Sequence, residues 1–214
     1  MGYDKDFYEL YNEYLQEHRV RVKHDAMFRI WSMHIGMEPI VPIDLGCGRG
    51  LEYLEFGPST PVYMGFDVNA IPRHEENGSD KIIVKDWDYR APNFVAKIEG
   101  LQESNHPNAF VSLFSTEPTA PAEENTKLYE RLFEQIPTLT HALVTGFCYT
   151  DKKGQEKVEE AGGLISYQTF GDPAPTDTYE DLRIVTPVPS TLFGENVVEV
   201  WRILTRKNVD YGTL

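Results

Sequence analysis

Short apolar runs alternate with polar stretches of helical character over most of the 214 residues. The runs with the composition of buried strands are Val41 to Leu45, Val62 to Phe66, Ile82 to Val84, Phe110 to Phe114 and Ala142 to Phe147. Between the last two runs, a helix is indicated by the spacing of Leu128, Leu132, Phe133 and Ile136 after Pro121. Strands that alternate with helices pair in parallel through right-handed crossovers. The pattern therefore predicts an α/β fold with a doubly wound, mostly parallel sheet and helices on both faces.

The two ends of the chain differ from the middle. Residues 1–38 combine polar residues with aromatic and apolar ones at helical spacing, which predicts an N-terminal helical cap before a main domain at 39–214. Leu164 to Phe170 and Val197 to Leu204 have the β-branched and aromatic content of two further strands. The proline-rich stretch between them, at about 171–194, is longer than a plain turn requires. We expect an insertion there that serves as a lid, an edge extension or an oligomer contact.

Pro42 conflicts with the first predicted strand, which should lie in the centre of the sheet. Proline has no N–H group and cannot donate to the hydrogen-bond ladder between strands. Either the strand begins at Pro42 or the predicted boundary at Val41 is wrong.

The first strand candidate runs into a glycine-rich loop, "IDLGCGRG", at Ile43 to Gly50. Glycines let the backbone bend sharply and approach a ligand, and the free N–H groups of a following helix attract an anion. By itself the loop fits either a cradle for a nucleotide-like ligand or a tight turn between a strand and a helix. The loop has GxGxG spacing, so Leu51 stands close to the position where a dinucleotide-binding loop requires its last glycine. This difference disfavours a nicotinamide oxidoreductase.

The next two strand candidates end on acidic residues. Asp67 follows the second strand and Asp86, with Trp87 beside it, follows the third. Asp67 lies about 20 residues after the glycines, the separation expected for a carboxylate that accepts hydrogen bonds from ribose hydroxyls. Because open α/β sheets bind ligands at the carboxyl ends of their strands, we expect these acids to meet at one ligand site.

Together these residues resemble the class I S-adenosylmethionine-dependent methyltransferases. The family's first motif, DxGxGxG, is matched in full by Asp44-Leu45-Gly46-Cys47-Gly48-Arg49-Gly50, and the order of motifs agrees from about Ile40 to Cys148. The resemblance implies a Rossmann-like sheet of seven strands in which the last strand runs antiparallel to the others. It also implies that S-adenosyl-L-methionine is the cofactor.

The resemblance implies a set of cofactor-binding residues at the strand ends. The full set is Asp44, Gly46, Cys47, Gly48, Gly50, Asp67, Val68, Asp86, Trp87 and Ser115. The glycines would line the methionine portion and the ribose, and Asp44 would support their loop or the cofactor's amino group. Asp67 would hold the ribose hydroxyls and Asp86 the adenine amino group, with Trp87 beside the base. An aspartate at a strand end is often only a helix or turn cap, and this is the alternative interpretation of Asp86.

The fourth strand candidate ends in Ser115-Thr116-Glu117-Pro118, where the family's fold presents the transferable methyl group. Ser115 and Glu117 are therefore the candidate catalytic residues, which would orient a substrate hydroxyl or amine, with Glu117 as a possible general base. A solvated loop carboxylate is the alternative interpretation of Glu117. The sequence departs here from the (N/D/S)PP(Y/F/W) motif of amino-directed nucleic-acid methyltransferases, which disfavours methylation of a base.

Charge and composition exclude several other classes of protein. Lys and Arg total 20 against 34 Asp and Glu, a formal charge of -14 that repels nucleic acid. No apolar run approaches the roughly 18 residues that span a bilayer, and no secretory leader is evident, so we expect a cytoplasmic protein without membrane contact. Two isolated cysteines and scattered histidines predict neither a disulfide nor a metal site.

The sequence therefore predicts an S-adenosylmethionine-dependent enzyme that methylates an oxygen or nitrogen of a small molecule. The alternative hypothesis is a methyltransferase-like module that binds the cofactor or a partner without methyl transfer. The sequence leaves open the acceptor and the oligomeric state.

Overall fold

The structure, a computed structural model, describes residues 29, 31, 33, 40–48, 62–78, 80–101, 108–113, 120–160, 176–190 and 194–207. The strands are β1 Pro42–Leu45, β2 Val62–Phe66, β3 Arg73–Asn77, β4 Asp80–Lys85, β5 Ala109–Ser112, β6 His141–Tyr149, β7 Tyr179–Ser190 and β8 Gly194–Arg206. The helices are α1 Phe94–Glu99, α2 Ala122–Gln135 and α3 Lys152–Glu160. Within the described residues the strands form one sheet, in the order β3-β4-β2-β1-β5-β6-β8-β7.

The centre of the sheet is parallel, as the sequence predicts. β4, β2, β1, β5 and β6 pair in parallel, whereas β8 is antiparallel to both of its neighbours, β6 and β7. The doubly wound α/β fold with an antiparallel last strand is therefore confirmed.

The described sheet has eight strands, against the seven that the resemblance implies, and β3, which forms a hairpin with β4, matches none of the strands expected from the sequence. The sequence of β3 is RHEEN, which has no alternation of apolar and polar residues and so gives no strand signal. Within the part of the chain that the structure describes, β3 lies at the edge of the sheet and pairs with β4 on one side. The hairpin turns at Gly78, whose positive φ of 68° suits glycine.

Pro42 is the first residue of β1, which settles the conflict raised by the sequence. The chain just before it is held by Asn108. The Val41 N–H donates to the Asn108 side-chain oxygen at 2.9 Å, and the Asn108 N–H donates to the Val41 carbonyl at 3.2 Å. The strand therefore begins at Pro42, the position at which the N–H group that proline lacks disturbs the hydrogen-bond ladder least.

The proline-rich segment at about 171–194 contains the strand β7 rather than only an insertion. Tyr179–Ser190 pairs with β8 along a ladder that shifts register near Pro189. Among the described strands β7 lies at the edge of the sheet, and prolines are tolerated in an edge strand because one of its sides needs no donor. The sixth strand was predicted at Leu164 to Phe170, which lies outside the described residues.

The sheet is buried on both faces. On one face, α1 and α2, which contributes Phe133, pack against an apolar layer of the sheet that includes Ile43, Phe66 and Phe110. On the other face, the helical residue Trp31 belongs to a second apolar layer with Tyr63, Val111 and Trp201. Of residues 1–38 the structure describes only 29, 31 and 33, so the N-terminal cap stays a prediction. None of the described helices has the length and apolar character needed to cross a membrane.

Candidate functional site

The loops that follow β1, β2 and β4 leave the sheet side by side. In the parallel ladder Leu45 pairs with Phe66, and Phe66 pairs with Lys85, so the three strands end at nearly the same level. Loops that follow neighbouring parallel strands converge at the carboxyl edge of a sheet. Residues 46–48 and 67–70 therefore lie together, as the sequence predicts.

The glycine loop is a tight turn fastened to the end of β2. Gly46 and Gly48 have φ values of 75° and 53°, in the left-handed region that strains any residue with a Cβ atom. The N–H groups of Gly46 and Cys47 donate to the Phe66 carbonyl at 2.7 and 3.3 Å. Backbone geometry therefore accounts for both glycines. Gly50 lies outside the described residues.

Asp67 links this turn to its own loop. One carboxylate oxygen accepts the Gly48 N–H at 3.1 Å, and the other accepts the Asn69 N–H at 2.8 Å. The side chain is fixed further because the Asp67 N–H donates to the Lys85 carbonyl at 3.2 Å, across the β2–β4 junction. The residue is buried, with 5% of its surface exposed. A carboxylate has about four acceptor positions, so two remain for hydroxyl donors such as a ribose diol.

Asp44 is more deeply buried, with 1% exposed, at the end of β1. Its carboxylate accepts a hydrogen bond from the Tyr63 hydroxyl. Burial raises the pKa of Asp44 from its ordinary value of 3.8 to about 7; the Tyr63 hydrogen bond opposes this rise and the nearby Asp67 charge adds to it. Asp44 is thus a buried carboxyl group whose raised pKa lies near neutral pH.

Tyr63 contacts the candidate site through Asp44, although it belongs to no motif of the sequence. Tyr63, Gly65 and Asp67 alternate along the chain and so face the same side of the sheet, where Gly65 pairs with Asp44. A Cβ atom on Gly65 would lie 2.8 Å from the Cys47 sulfur and 2.9 Å from the Tyr63 ring, so the glycine leaves room for both side chains. The two-residue spacing from Asp67 indicates only that Gly65 and Tyr63 share its face; the contact of Tyr63 with Asp44 depends on the register between β1 and β2.

Trp87 lies where the sequence predicts, after β4, but it packs against protein. Its half-buried ring stacks on Phe66, with centroids 5.6 Å apart and an interplanar angle of 21°, and the Lys97 ammonium lies 5.1 Å from its centroid. Asp86 is exposed, as is Val68, with 59% of its surface accessible. Trp87 therefore packs at the carboxyl edge of the sheet, while Asp86 and Val68 are exposed to solvent.

The loop after Trp87 is held by α2. The Arg131 guanidinium donates to the carbonyls of Tyr89 and Arg90 at 3.1 and 3.2 Å. Arg90 in turn donates to the side-chain oxygen of Asn125, also on α2, at 2.8 Å. These contacts fix the third of the three converging loops.

The candidate catalytic residues lie outside the described part of the chain. β5 ends at Ser112, and the described residues after it stop at Leu113, so nothing is described of Ser115 or Glu117. Their roles stay predictions.

The described edge combines two buried carboxyl groups with a glycine turn. Carboxylates such as those of Asp44 and Asp67 can accept hydrogen bonds from ammonium or hydroxyl groups, and the glycines leave the backbone of the turn free of side chains. Val68 and Ile71, which are 59% and 69% exposed, offer apolar surface beside Asp67. Among the described residues, no three His, Cys, Asp or Glu side chains are grouped to hold a metal ion.

Comparison with known proteins is informative only for structure. No protein-family model and no curated protein matches the chain. A methyltransferase from Anabaena variabilis that depends on S-adenosylmethionine aligns over 97% of this chain and 98% of its own, with 14% identity and a TM-score of 0.54. The N-methyltransferase NodS from Bradyrhizobium japonicum, solved with S-adenosylhomocysteine, aligns over 95% and 100%, with 11% identity and a TM-score of 0.53. The magnesium protoporphyrin IX methyltransferase of Synechocystis aligns over 93% and 94%, also with 11% identity and a TM-score of 0.53. The chain thus has the fold of the S-adenosylmethionine-dependent methyltransferases.

Proposed function

We propose that the chain is an S-adenosylmethionine-dependent methyltransferase that acts on an oxygen or nitrogen atom of a small molecule. The observation that supports this most directly is the pairing of Gly48 with Asp67. It joins the glycine turn after β1 to the acid after β2 by a 3.1 Å hydrogen bond, at the carboxyl edge of a parallel sheet. The structural neighbours with bound S-adenosylhomocysteine have the same fold, which supports the cofactor.

In this proposal, Asp67 accepts hydrogen bonds from the ribose hydroxyls, and Asp44 faces the ammonium group of the methionine portion. Gly46 and Gly48 let the backbone approach the ligand, and Val68 packs beside the base. The cofactor supplies an activated methyl group on a sulfonium, so the protein has to align the acceptor and exclude water. Ser115 and Glu117 would orient the acceptor at the end of β5.

The acceptor is proposed from charge and from the predicted cap. A formal charge of -14 favours a neutral or cationic acceptor over nucleic acid, whose phosphates would be repelled. A helical segment at 1–38 would help to enclose a small molecule. A cytoplasmic location is part of the same proposal.

Calorimetric titration with S-adenosylmethionine and S-adenosylhomocysteine tests the cofactor. Binding of both, and weaker binding to the variant Asp67→Asn, is the expected result. A matched control is Asp88→Asn, because the exposed Asp88 accepts the Arg90 N–H in the same local geometry without joining the glycine turn. A protein that binds neither ligand at millimolar concentration does not have this function.

Methyl transfer is tested separately, with a labelled methyl donor and pooled small molecules that contain hydroxyl or amine groups. We expect label in a small-molecule product and none in added RNA or DNA. Cofactor binding with no transfer to any acceptor would instead favour the methyltransferase-like module.

A further inference from the structure

Asp44 and Tyr63 form a buried pair beneath the glycine turn. The Tyr63 hydroxyl donates to the Asp44 carboxylate, and both residues are almost completely buried, with 0% and 1% of their surfaces exposed. Tyr63 lies on β2, two residues before Gly65, which is the ladder partner of Asp44. The ring reaches the carboxylate along the space that Gly65 leaves, where a Cβ atom would lie 2.9 Å from the ring.

The surroundings of Asp44 contain no positive group among the described residues. β2 contributes the Tyr63 hydroxyl and, at its end, the Asp67 carboxylate; the loop after β1 contributes the buried Cys47 thiol. The ladder partner on β5 is the apolar Val111. A buried carboxylate without a cation favours its protonated form.

A cation beside Asp44 would reverse this preference. The methyl donor and its product both have an α-ammonium group, and an ammonium next to a carboxylate favours the ionised acid. Binding of the ligand and loss of the Asp44 proton are then thermodynamically linked.

We propose that Tyr63 is a positioning residue that fixes the Asp44 carboxylate toward the bound methyl donor, and that Asp44 releases one proton when the donor's ammonium group binds. The inference rests on the proposed function, because it requires a ligand with an ammonium group at this edge. The proton leaves the Asp44 carboxyl for solvent, and the ammonium replaces it as the positive partner.

The pH dependence follows from the pKa of Asp44, which burial raises to about 7. Below that pH the free protein has a neutral Asp44 and must lose the proton to bind. Affinity should therefore rise about tenfold per pH unit up to about pH 7 and then level off. Removing the Tyr63 hydroxyl deletes a bond to the ionised form, which raises the pKa further and moves the rise in affinity to higher pH.

The experiment is calorimetric titration of the full chain with S-adenosylhomocysteine from about pH 5.5 to about pH 8, in two buffers of different ionisation enthalpy. For the unmodified protein we expect release of nearly one proton per ligand at about pH 6. For Tyr63→Phe we expect the affinity still to be rising at about pH 8 instead of levelling off near about pH 7, because loss of one hydrogen bond to a charged group raises the pKa of Asp44 by about one to two units. For Asp44→Asn we expect weak binding that no longer changes with pH.

Tyr129→Phe is the matched control, because Tyr129 is an equally buried tyrosine that packs on the opposite face, against Phe110. It should leave the pH profile unchanged. Binding by the unmodified protein with no proton release and no pH dependence would overturn this inference and leave the proposed function standing. A pH dependence that persists in Asp44→Asn would also overturn it, since another group would then be titrating. Absence of binding at every pH would overturn both. The proton count needs no variant, so the test does not depend on whether Tyr63→Phe folds.

Discussion

Gly48 and Asp67 are joined by a hydrogen bond of 3.1 Å from the glycine N–H to the carboxylate, across 19 residues of sequence. The bond connects the loops after two neighbouring parallel strands. The same carboxylate also stabilises the turn of its own loop, because it accepts a hydrogen bond from the Asn69 N–H. The carboxylate that would bind a ribose is thus held in place before any ligand arrives.

Asp67→Asn should weaken binding of S-adenosylhomocysteine about 10- to 100-fold, because charge-assisted hydrogen bonds contribute about 1.5–3 kcal/mol each. Calorimetry gives the affinity, and the free energy of unfolding shows whether the fold is retained. In the control Asp88→Asn, the same chemical change occurs at an exposed turn and should leave affinity unchanged. Equal affinities for Asp67→Asn and the unmodified protein would remove Asp67 from the cofactor site.

Gly48→Ala should lower both stability and cofactor affinity. A Cβ atom at its φ of 53° costs about 1–2 kcal/mol, and the change displaces backbone next to Asp67. Gly78→Ala is the matched control: its φ of 68° imposes a similar strain, but a Cβ there meets nothing within 4 Å and the hairpin lies outside the site. Denaturant unfolding should therefore show a similar loss for both variants, and calorimetry should show lower affinity for Gly48→Ala alone. A loss of affinity in both would mean that strain, rather than the site, is being measured.

Asp181 and Arg202 should contribute strongly to the attachment of β7. Their side chains are only 3% and 6% exposed, and the guanidinium lies 2.6 Å from the carboxylate, across the β7–β8 ladder. Arg202→Met removes the strongest partner of the buried Asp181 carboxylate, which should lower the free energy of unfolding by about 3–5 kcal/mol. The exposed pair Glu123 and Lys127 is the control, since solvent screens its charges and Lys127→Met should leave the free energy of unfolding almost unchanged. Similar free energies of unfolding for the two variants would contradict the prediction.

The sequence predicts the parallel centre of the sheet better than its edges. Central strands such as β2 are buried on both faces and therefore read as continuous apolar runs. β3 is charged and β7 contains prolines, because an edge strand faces fewer neighbours and tolerates both. Composition alone cannot distinguish such strands from loops.

The same limit applies to the candidate site. Asp44 and Asp67 could be predicted because Asp44 belongs to a motif and Asp67 follows an apolar run. Tyr63 could not, since its role depends on the register that places Gly65 opposite Asp44. Register is a property of two strands together, and neither strand's sequence states it.

Asp44→Asn should raise the stability of the folded protein at neutral to alkaline pH and lower its affinity for the ligand. The folded-state pKa of Asp44 is raised from 3.8 to about 7, chiefly by burial, so the folded protein holds this proton more tightly than the unfolded chain does. The stability associated with the neutral acid is fully present below about pH 4 and is lost as the pH rises through about 7. Asparagine cannot ionise and retains an acceptor for the Tyr63 hydroxyl, so it avoids that loss.

Denaturant unfolding at several pH values measures this effect. Above about pH 7 we expect Asp44→Asn to unfold with a free energy a few kcal/mol larger than that of the unmodified protein, with the difference fading toward about pH 4. Asp88→Asn provides the baseline, because that exposed carboxylate should give no such pH-dependent gain. A difference for Asp44→Asn that grows as the pH falls would show that the carboxylate is stabilised as an anion in the folded protein. If Asp44→Asn gains stability and loses ligand affinity, then Asp44 serves ligand binding and lowers the free energy of unfolding of the unmodified protein.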